Sequence, residues 1–351
     1  MAHHMFTTDK TPLRTAVVGY GYWGPNLVRN VIERPDMEFA GLCEMDAERA
    51  AAFSAKVPGA PVYSDLAEVV ANPEIDAVLV ATPPRTHHAV VSQALRGGKH
   101  VLVEKPLAKT AAEARDLIEI AEANGRVLMP GHTFLYSPPV NKVKQLVDAG
   151  ALGEIYFVTS SRLNLGKYQP DGVVCDLAPH DLSILLYLLE EPIVSVSASA
   201  RSVFQDGVPE AAFLTATFAS GAMANIQLSW LSPRKVREMV VVGSQQMVQY
   251  DDTANDEAVR VYDRGMDFKT PTNFGEHQLS YRSGDIIIPR IGAAEPLSLE
   301  LEDFVNAVRT GSRPRSHAEL GYEIVAAVEA AEESLRNGGI PVSIEPVRAT
   351  A

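Results

Sequence analysis

The sequence predicts two domains of different class: an α/β domain built on a doubly wound parallel sheet, then an α+β domain with a large, open, mostly antiparallel sheet. Three observations carry that expectation. The first third alternates short β-branched runs with helical periods, whereas beyond residue 193 strand-like runs follow one another with only turn signals between them. The chain of 351 residues, 46% of them hydrophobic, is too long for one ordinary domain and can bury a core in each of two. The boundaries are set at 1–13 for a tag remnant and flexible lead, 14–131 for the first domain and 132–351 for the second.

In the first domain "RTAVVG" leads into a helix near 24–33, "EFAGLCE" into one near 46–55, "DAVLVA" (76–81) into one near 86–96, and "HVLVE" (100–104) into one near 110–124. "RVLMPG" (126–131) closes the series. Strands alternating with helices imply right-handed crossovers and a parallel sheet covered on both faces. After 131, a helix around 138–149 precedes "EIYFVTSSRL" and a helical run, "LSILLYLLE". Then come "IVSVSASARSV", "AAFLTATFA", "AMANIQLSW", "VREMVVVGS" and "QMVQYDD", joined by turn signals such as Ser220-Gly221 and Gly243-Ser244. Helices near 297–310 and 317–336 end the chain, and no internal repeat is visible.

Composition excludes several classes. A formal net charge of -13, from 31 basic and 44 acidic side chains, repels phosphate backbones, so nucleic acid is not an expected partner. The two cysteines, Cys43 and Cys175, suit neither a disulfide framework nor a zinc site, and no metal is expected. No apolar run reaches the roughly 18–20 residues of a membrane span, and "MAHHMFTTDK" lacks a signal peptide's apolar core. A soluble, cytoplasmic protein is the expectation.

The stretch "TAVVGYGYWGPNLVRNVIE" carries the first chemistry. Gly19, Gly21 and Gly24 follow a strand and open a helix: Gly19 allows the tight turn, Gly21 lets backbone approach a pyrophosphate, and Gly24 lets helix and strand pack closely. The second strand ends at Glu44, 25 residues beyond Gly19, where an acid grips the adenosine ribose hydroxyls. Met45, rather than an Arg, follows it, so nothing beside the acid welcomes a 2′-phosphate. The cofactor read from this Rossmann-type turn is NAD, with Tyr22 and Trp23 of the same turn placed against it.

"DAVLVATPPRTHHAVVSQALRGGKHVLVEKPLAKT", followed by "GALGEIYFV" and "CDLAPHDLSILLYL", closely resembles the Gfo/Idh/MocA family of sugar and cyclitol oxidoreductases, in order and over nearly the whole chain. The most specific elements are the Glu104-Lys105-Pro106 tripeptide and the pair Asp176 and His180. The resemblance implies Lys105, Asp176 and His180 as catalytic residues. The physics of those positions agrees. Lys105 at a strand's carboxyl end can hydrogen-bond a substrate hydroxyl and stabilise its oxygen as charge develops. Asp176 and His180, four apart, share one face if a helix starts there, and Pro179 fits such a first turn. His suits proton exchange near neutrality, and a carboxylate can orient it.

The same resemblance places Thr82 and Pro83 on the nicotinamide side, with Glu104, Lys105 and one of His87 and His88 within cofactor reach. Ala178 and Ser183 depart from the usual family pattern, which touches finer substrate contacts. For substrate, "GHTFLYSP" with Tyr136, "SSRLNLGKYQPD" with Arg162, Asn164, Lys167 and Tyr168, and "SWLSPRKVRE" with Arg234, Lys235 and Arg237 form the expected site. Their cations would supply the basic patch that an acidic protein needs for a diphosphate. These stretches resemble the branch of the family that oxidises nucleotide-linked amino sugars at C3.

The expected protein is therefore an NAD-dependent dehydrogenase of a sugar secondary alcohol. His180 takes the hydroxyl proton, Lys105 steadies the oxygen and Asp176 orients the pair. Two other readings stay open: a glycosidase that oxidises and re-reduces C3 around an elimination, and a non-catalytic NAD-binding sensor. A homodimer or homotetramer is expected, because the second domain's sheet has one face that few helices are left to cover.

Overall fold

The computed structural model describes residues 11–166, 168–254, 256–268 and 279–345. The chain divides into two compact units. The first runs to Tyr136 and takes back Ala294–Val325; the second holds Ser137–Ala293 and the segment from Ala326 onward. The expected boundary at 131, with everything beyond it in one domain, differs on both counts. The return segment carries a helix whose apolar face is buried against first-unit elements, a long-range pairing that local sequence pattern does not encode.

The first unit is built on β1 (Leu13–Val18), β2 (Met37–Cys43), β3 (Val62–Tyr63), β4 (Ala77–Val80), β5 (His100–Glu104) and β6 (Leu128–Gly131). All pairings are parallel, in the order β3-β2-β1-β4-β5-β6. Every residue of β4 is buried, as its run Ala-Val-Leu-Val requires of a strand covered on both faces. The crossovers are α1 (Gly24–Glu33), α2 (Ala47–Lys56), α3 (Leu66–Ala71), α4 (His87–Arg96) and α5 (Ala111–Ala123). Side chains start several of them: Asp46 caps α2, Asp65 forms a capping box with Glu68 on α3, and Thr110 caps α5. β3 and α3 escape the sequence pattern because two strand residues and six helical ones are too short for periodicity to register. From the return segment, α8 (Pro296–Thr310) packs on α1 and on the turn at Thr133–Tyr136.

The second unit holds α6 (Pro138–Asp148), β7 (Ile155–Leu165), α7 (Gly172–Leu189) and the strands β8 (Ile193–Arg201), β9 (Ala211–Phe218), β10 (Met223–Ser229), β11 (Leu231–Gly243) and β12 (Met247–Asp251). β13 (Val259–Phe268), β14 (Leu279–Ile287) and β15 (Val342–Ser343) complete a sheet ordered β14-β13-β12-β11-β7-β10-β9-β8-β15. Among the described residues only β10 and β7 run parallel in it; the other pairings are antiparallel. α9 (Ala318–Arg336) passes from one unit into the other.

One face of this sheet is covered: α7 packs on β7, β9 and β10, and α6 on β12 and β13. Inward residues such as Val158, Leu214, Ile226, Leu228 and Val241 are buried. The opposite face leaves Phe157, Phe213 and Met223 exposed. α7 is long and apolar enough by composition to cross a membrane, but it is a core helix, 72% buried. It begins at Gly172, not at Asp176 as the sequence suggests, so Pro179 lies in the helix interior. Pro179 has no N–H to give to the helix ladder at that point.

Candidate active site

The glycine turn is shaped by three different demands. Gly19 sits at φ +96°, and a Cβ there would lie 2.9 Å from the carbonyl oxygen of Ala81 at the end of β4. A Cβ on Gly24 would lie 2.3 Å from the Gly19 carbonyl, so helix α1 can start this close to the turn only without a side chain. Gly21 differs: nothing lies within 4 Å of its added Cβ, so its missing side chain leaves space outside the protein, where a pyrophosphate fits. Trp23 caps α1 without a side-chain bond, and Tyr22 is almost wholly exposed. The turn therefore fits the dinucleotide read from the sequence.

Glu44 closes the turn from β2. Its Oε2 accepts the Tyr20 N–H at 2.8 Å and its Oε1 the Asp46 N–H at 2.8 Å, while Arg49 donates to both oxygens at 3.0 and 3.1 Å. Burial works to raise this carboxyl's pKa, but Arg49 and the two backbone donors more than offset it, so Glu44 is held below the usual carboxylate range. The expectation that nothing beside the acid welcomes a 2′-phosphate is corrected here. Arg49, half exposed on the first turn of α2, lies on the acid itself; the signal was five residues along rather than at Met45.

At the ends of β4, β5 and β6 a second group gathers. The Thr82 hydroxyl accepts from Thr86 at 2.8 Å, and Pro83 is exposed. His87 is fully buried, with Nδ1 2.7 Å from the Pro106 carbonyl oxygen and Nε2 2.9 Å from that of Thr82, so it does not present its ring to a ligand. His88 instead pairs with Asp116 at 2.7 Å. Lys105 follows β5 and is half-buried.

Behind it, with Glu104, stand His132 and Glu300, to which the sequence reading assigns no role. His132 is 2% exposed and Glu300, on α8, is 0% exposed. Both ring nitrogens of His132 and one oxygen each of Glu104 and Glu300 are sealed from solvent without a hydrogen-bond partner among the described residues. Burial raises Glu104 to about 7, although Lys105 pulls the other way. Burial and then Glu104 push Glu300 well above the carboxylate range, and Thr133 donates to its other oxygen at 2.9 Å. Burial, reinforced by the Lys105 charge, lowers His132 to about 3 and keeps it neutral. Such a set marks a functional region by its cost: acids in an apolar shell beside a lysine are poorly suited to stability alone.

In the second unit Asp176 and His180 fall one turn apart on one face of α7, both half-buried. Trp230, which the sequence reading passes over, donates its indole N–H to the Asp176 Oδ2 at 3.1 Å and fixes that carboxylate. The ring of Tyr168 lies 5.8 Å from that of Trp230, and its hydroxyl reaches Gln205.

The expected basic patch is thinner than its sequence. Arg162 is buried and paired with Asp181, Nε to Oδ2 at 2.7 Å, and Ser160 donates to the same carboxylate at 2.7 Å. Burial opposes the Arg162 charge and Asp181 more than restores it, so this pair ties α7 to β7. Arg237 pairs with Asp252 at 2.9 Å. Arg234 and Lys235 are exposed on β11, and Asn164 is half-buried. Lys167 lies outside the described residues. Tyr136 belongs to the core of the first unit, donating to Asp303 at 2.8 Å under the Arg315 guanidinium, and not to a substrate surface.

Comparison with known proteins identifies the family. The model of the oxidoreductase family with an NAD-binding Rossmann fold, GFO_IDH_MocA, matches residues 13–132, and the GFO/IDH/MocA C-terminal domain model matches residues 140–249. The chain belongs to the Gfo/Idh/MocA oxidoreductase family. Within the family, the inositol 2-dehydrogenase of Rhodococcus jostii (strain RHA1) is 26% identical over 350 residues, covering 93% of this chain and 91% of that protein. The structure of the UDP-N-acetylglucosamine 3-dehydrogenase from Acidithiobacillus ferrooxidans is similar with a TM-score of 0.78 at 26% identity, over 92% of this chain and 97% of that one. A structure from Magnetospirillum magnetotacticum MS-1, described as a candidate oxidoreductase, has a TM-score of 0.76 at 31% identity, over 92% of this chain and all of that one.

The burial of Glu104 has a measurable consequence. Its folded pKa, about 7, lies above the 4.5 of an ordinary Glu, so its share of stability is fully present below about pH 4.5 and is lost as pH rises through 7. Glu104→Gln removes the ionisation. In urea unfolding at pH 8 this variant is expected to be more stable than the wild type by about 2–3 kcal/mol, the two converging below pH 5. Equal stability at both pH values would contradict the assignment.

Proposed function

We propose that this oxidoreductase passes hydride from a secondary hydroxyl of a sugar to NAD, with Lys105, Asp176 and His180 handling the oxygen and its proton. The observation that carries the reading is the place of Lys105. The strand order reverses between β1 and β4, and ligands of open α/β sheets bind outside the carboxyl ends of the strands at such a switch point. Lys105 leaves the carboxyl end of β5, which pairs with β4, while the glycine turn leaves that of β1.

When bound, NAD supplies the hydride acceptor. The chain supplies the rest. The Lys105 ammonium holds the substrate oxygen where negative charge develops, His180 accepts the hydroxyl proton, and Asp176, held by Trp230, orients it. A six-membered ring with several secondary hydroxyls suits this chemistry, and the relatives named for inositol and for UDP-N-acetylglucosamine support that class. The solvent-facing cations Arg234 and Lys235 favour a substrate carrying a diphosphate, and with it a nucleotide-linked sugar oxidised at C3.

The second-unit sheet supports a homo-oligomer. Phe157, Phe213 and Met223 leave apolar surface on strands whose other face is packed. Light scattering at micromolar concentration is expected to give a dimer or tetramer; a monomer would argue against it.

Roles separate by mutation. Lys105→Ala and His180→Ala are expected to bind NAD nearly normally in calorimetry and to lose roughly 10²–10⁴-fold in turnover. Gly21→Val, whose side chain enters open space, is expected to fold and lose NAD instead. Near-wild-type turnover in both Lys105→Ala and His180→Ala would refute the assignment and leave a non-catalytic NAD-binding protein.

A further inference from the structure

His87 opens α4, a helix whose Val91, Ala94 and Leu95 are buried, so its backbone is held by the first unit's core. Its imidazole, 0% exposed, reaches the carbonyl oxygen of Pro106 with Nδ1 at 2.7 Å, and that carbonyl belongs to the residue immediately after Lys105. On the other side of the ring, Nε2 meets the carbonyl oxygen of Thr82 at 2.9 Å. Two carbonyl oxygens thus face one ring. A neutral imidazole has one N–H to give. Burial lowers this histidine's proton affinity, although both carbonyls work to raise it, so the ring is held neutral and one contact receives the proton. The shorter contact, to Pro106, is the stronger candidate for the N–H.

We propose that His87 is a positioning residue: its Nδ1–H tethers the Pro106 carbonyl and so fixes the backbone from which Lys105 reaches the substrate oxygen. The elements around it fit that role. Glu104 before Lys105 turns its carboxyl into a sealed environment, and Leu107 and Ala108 after it are buried, so the short segment is anchored at both ends. Between them, Pro106 has no N–H with which to hold the chain, and its carbonyl oxygen, directly after Lys105, takes the His87 contact. This inference rests on the reading of Lys105 as the residue that meets the substrate oxygen, and an error of about 1 Å in such a group costs on the order of 10²-fold in rate.

The two amide side chains dissect the ring. An Asn amide nitrogen occupies roughly the place of Nδ1, and a Gln amide nitrogen roughly the place of Nε2. His87→Asn keeps a donor for Pro106; His87→Gln offers one to Thr82 only. The experiment compares both, with His87→Leu, by thermal unfolding, NAD affinity, kcat and KM. The environment of Lys105 is read by NMR of reductively 13C-methylated protein, its signal identified by loss in Lys105→Arg.

The tether predicts that His87→Asn recovers most of the turnover that His87→Leu loses and leaves the Lys105 signal in place. His87→Gln, folded and binding NAD within a fewfold of wild type, loses about 10–100-fold in kcat with little change in KM, and its Lys105 signal shifts. An unshifted Lys105 signal in folded His87→Gln, or rescue by Gln rather than Asn, overturns the tether. A shifted signal with undiminished turnover leaves the tether standing and refutes the catalytic role of Lys105 instead.

Discussion

The dinucleotide half of this protein depends on one close approach: the turn after β1 is pressed against the carboxyl end of β4 and against the start of its own helix, with no room for a side chain at Gly19 or Gly24. That compression places the N-terminus of α1 at the strand switch point, and Gly21 leaves the space beyond the turn open. The Gly19 N–H bonds the Cys43 carbonyl at 2.8 Å and the Ala81 N–H bonds the Val18 carbonyl at 2.8 Å, so the ends of β1, β2 and β4 are locked to one another. Glu44, Thr82 and, through His87, the Lys105 segment all leave from those locked ends.

Charge is buried in two contrasting ways. In the second unit the opposite charges of Arg162 and Asp181 meet directly, with Ser160 on the same carboxylate, and fasten α7 to β7, although Arg162 Nη1 has no hydrogen-bond partner among the described residues. In the first unit His132 and one oxygen each of Glu104 and Glu300 are sealed from solvent without a hydrogen-bond partner among the described residues, near Lys105. A charge-paired set is a structural fastener. A set of acids without opposite charges to match them keeps Glu300 protonated and leaves Glu104 titrating near neutrality, so that the local field responds to protonation, which suits a place where a proton changes hands.

Much of this was legible in the sequence, for physical reasons. Buried parallel strands appear as unbroken Val, Leu and Ala runs, and the glycine spacing records a steric demand that no other residue meets, so β1, β4, β5 and the cofactor turn could be read directly. Lys105, Asp176 and His180 were marked by their neighbours rather than by their own chemistry. What could not be read was long-range. Arg162 and Tyr136 look like surface recognition residues until Asp181, 19 positions away, and Asp303, 167 away, turn them into core. Arg49 on Glu44, Trp230 on Asp176 and α8 returning to the first unit are pairings that spacing does not record, and His87 shows its role only once the Pro106 carbonyl is beside it.

The central claim is that this chain removes hydride from a ring carbon bearing a secondary hydroxyl. The most direct measurement follows that hydrogen. The NAD-loaded protein is incubated with ring-deuterated UDP-N-acetylglucosamine and, separately, ring-deuterated myo-inositol, and the nicotinamide is recovered for mass spectrometry and NMR. The account predicts deuterium on the nicotinamide from one ring position, C3 for the nucleotide sugar. NAD that binds stoichiometrically yet acquires deuterium from no position of either substrate, while the sugar is returned unchanged, would contradict it.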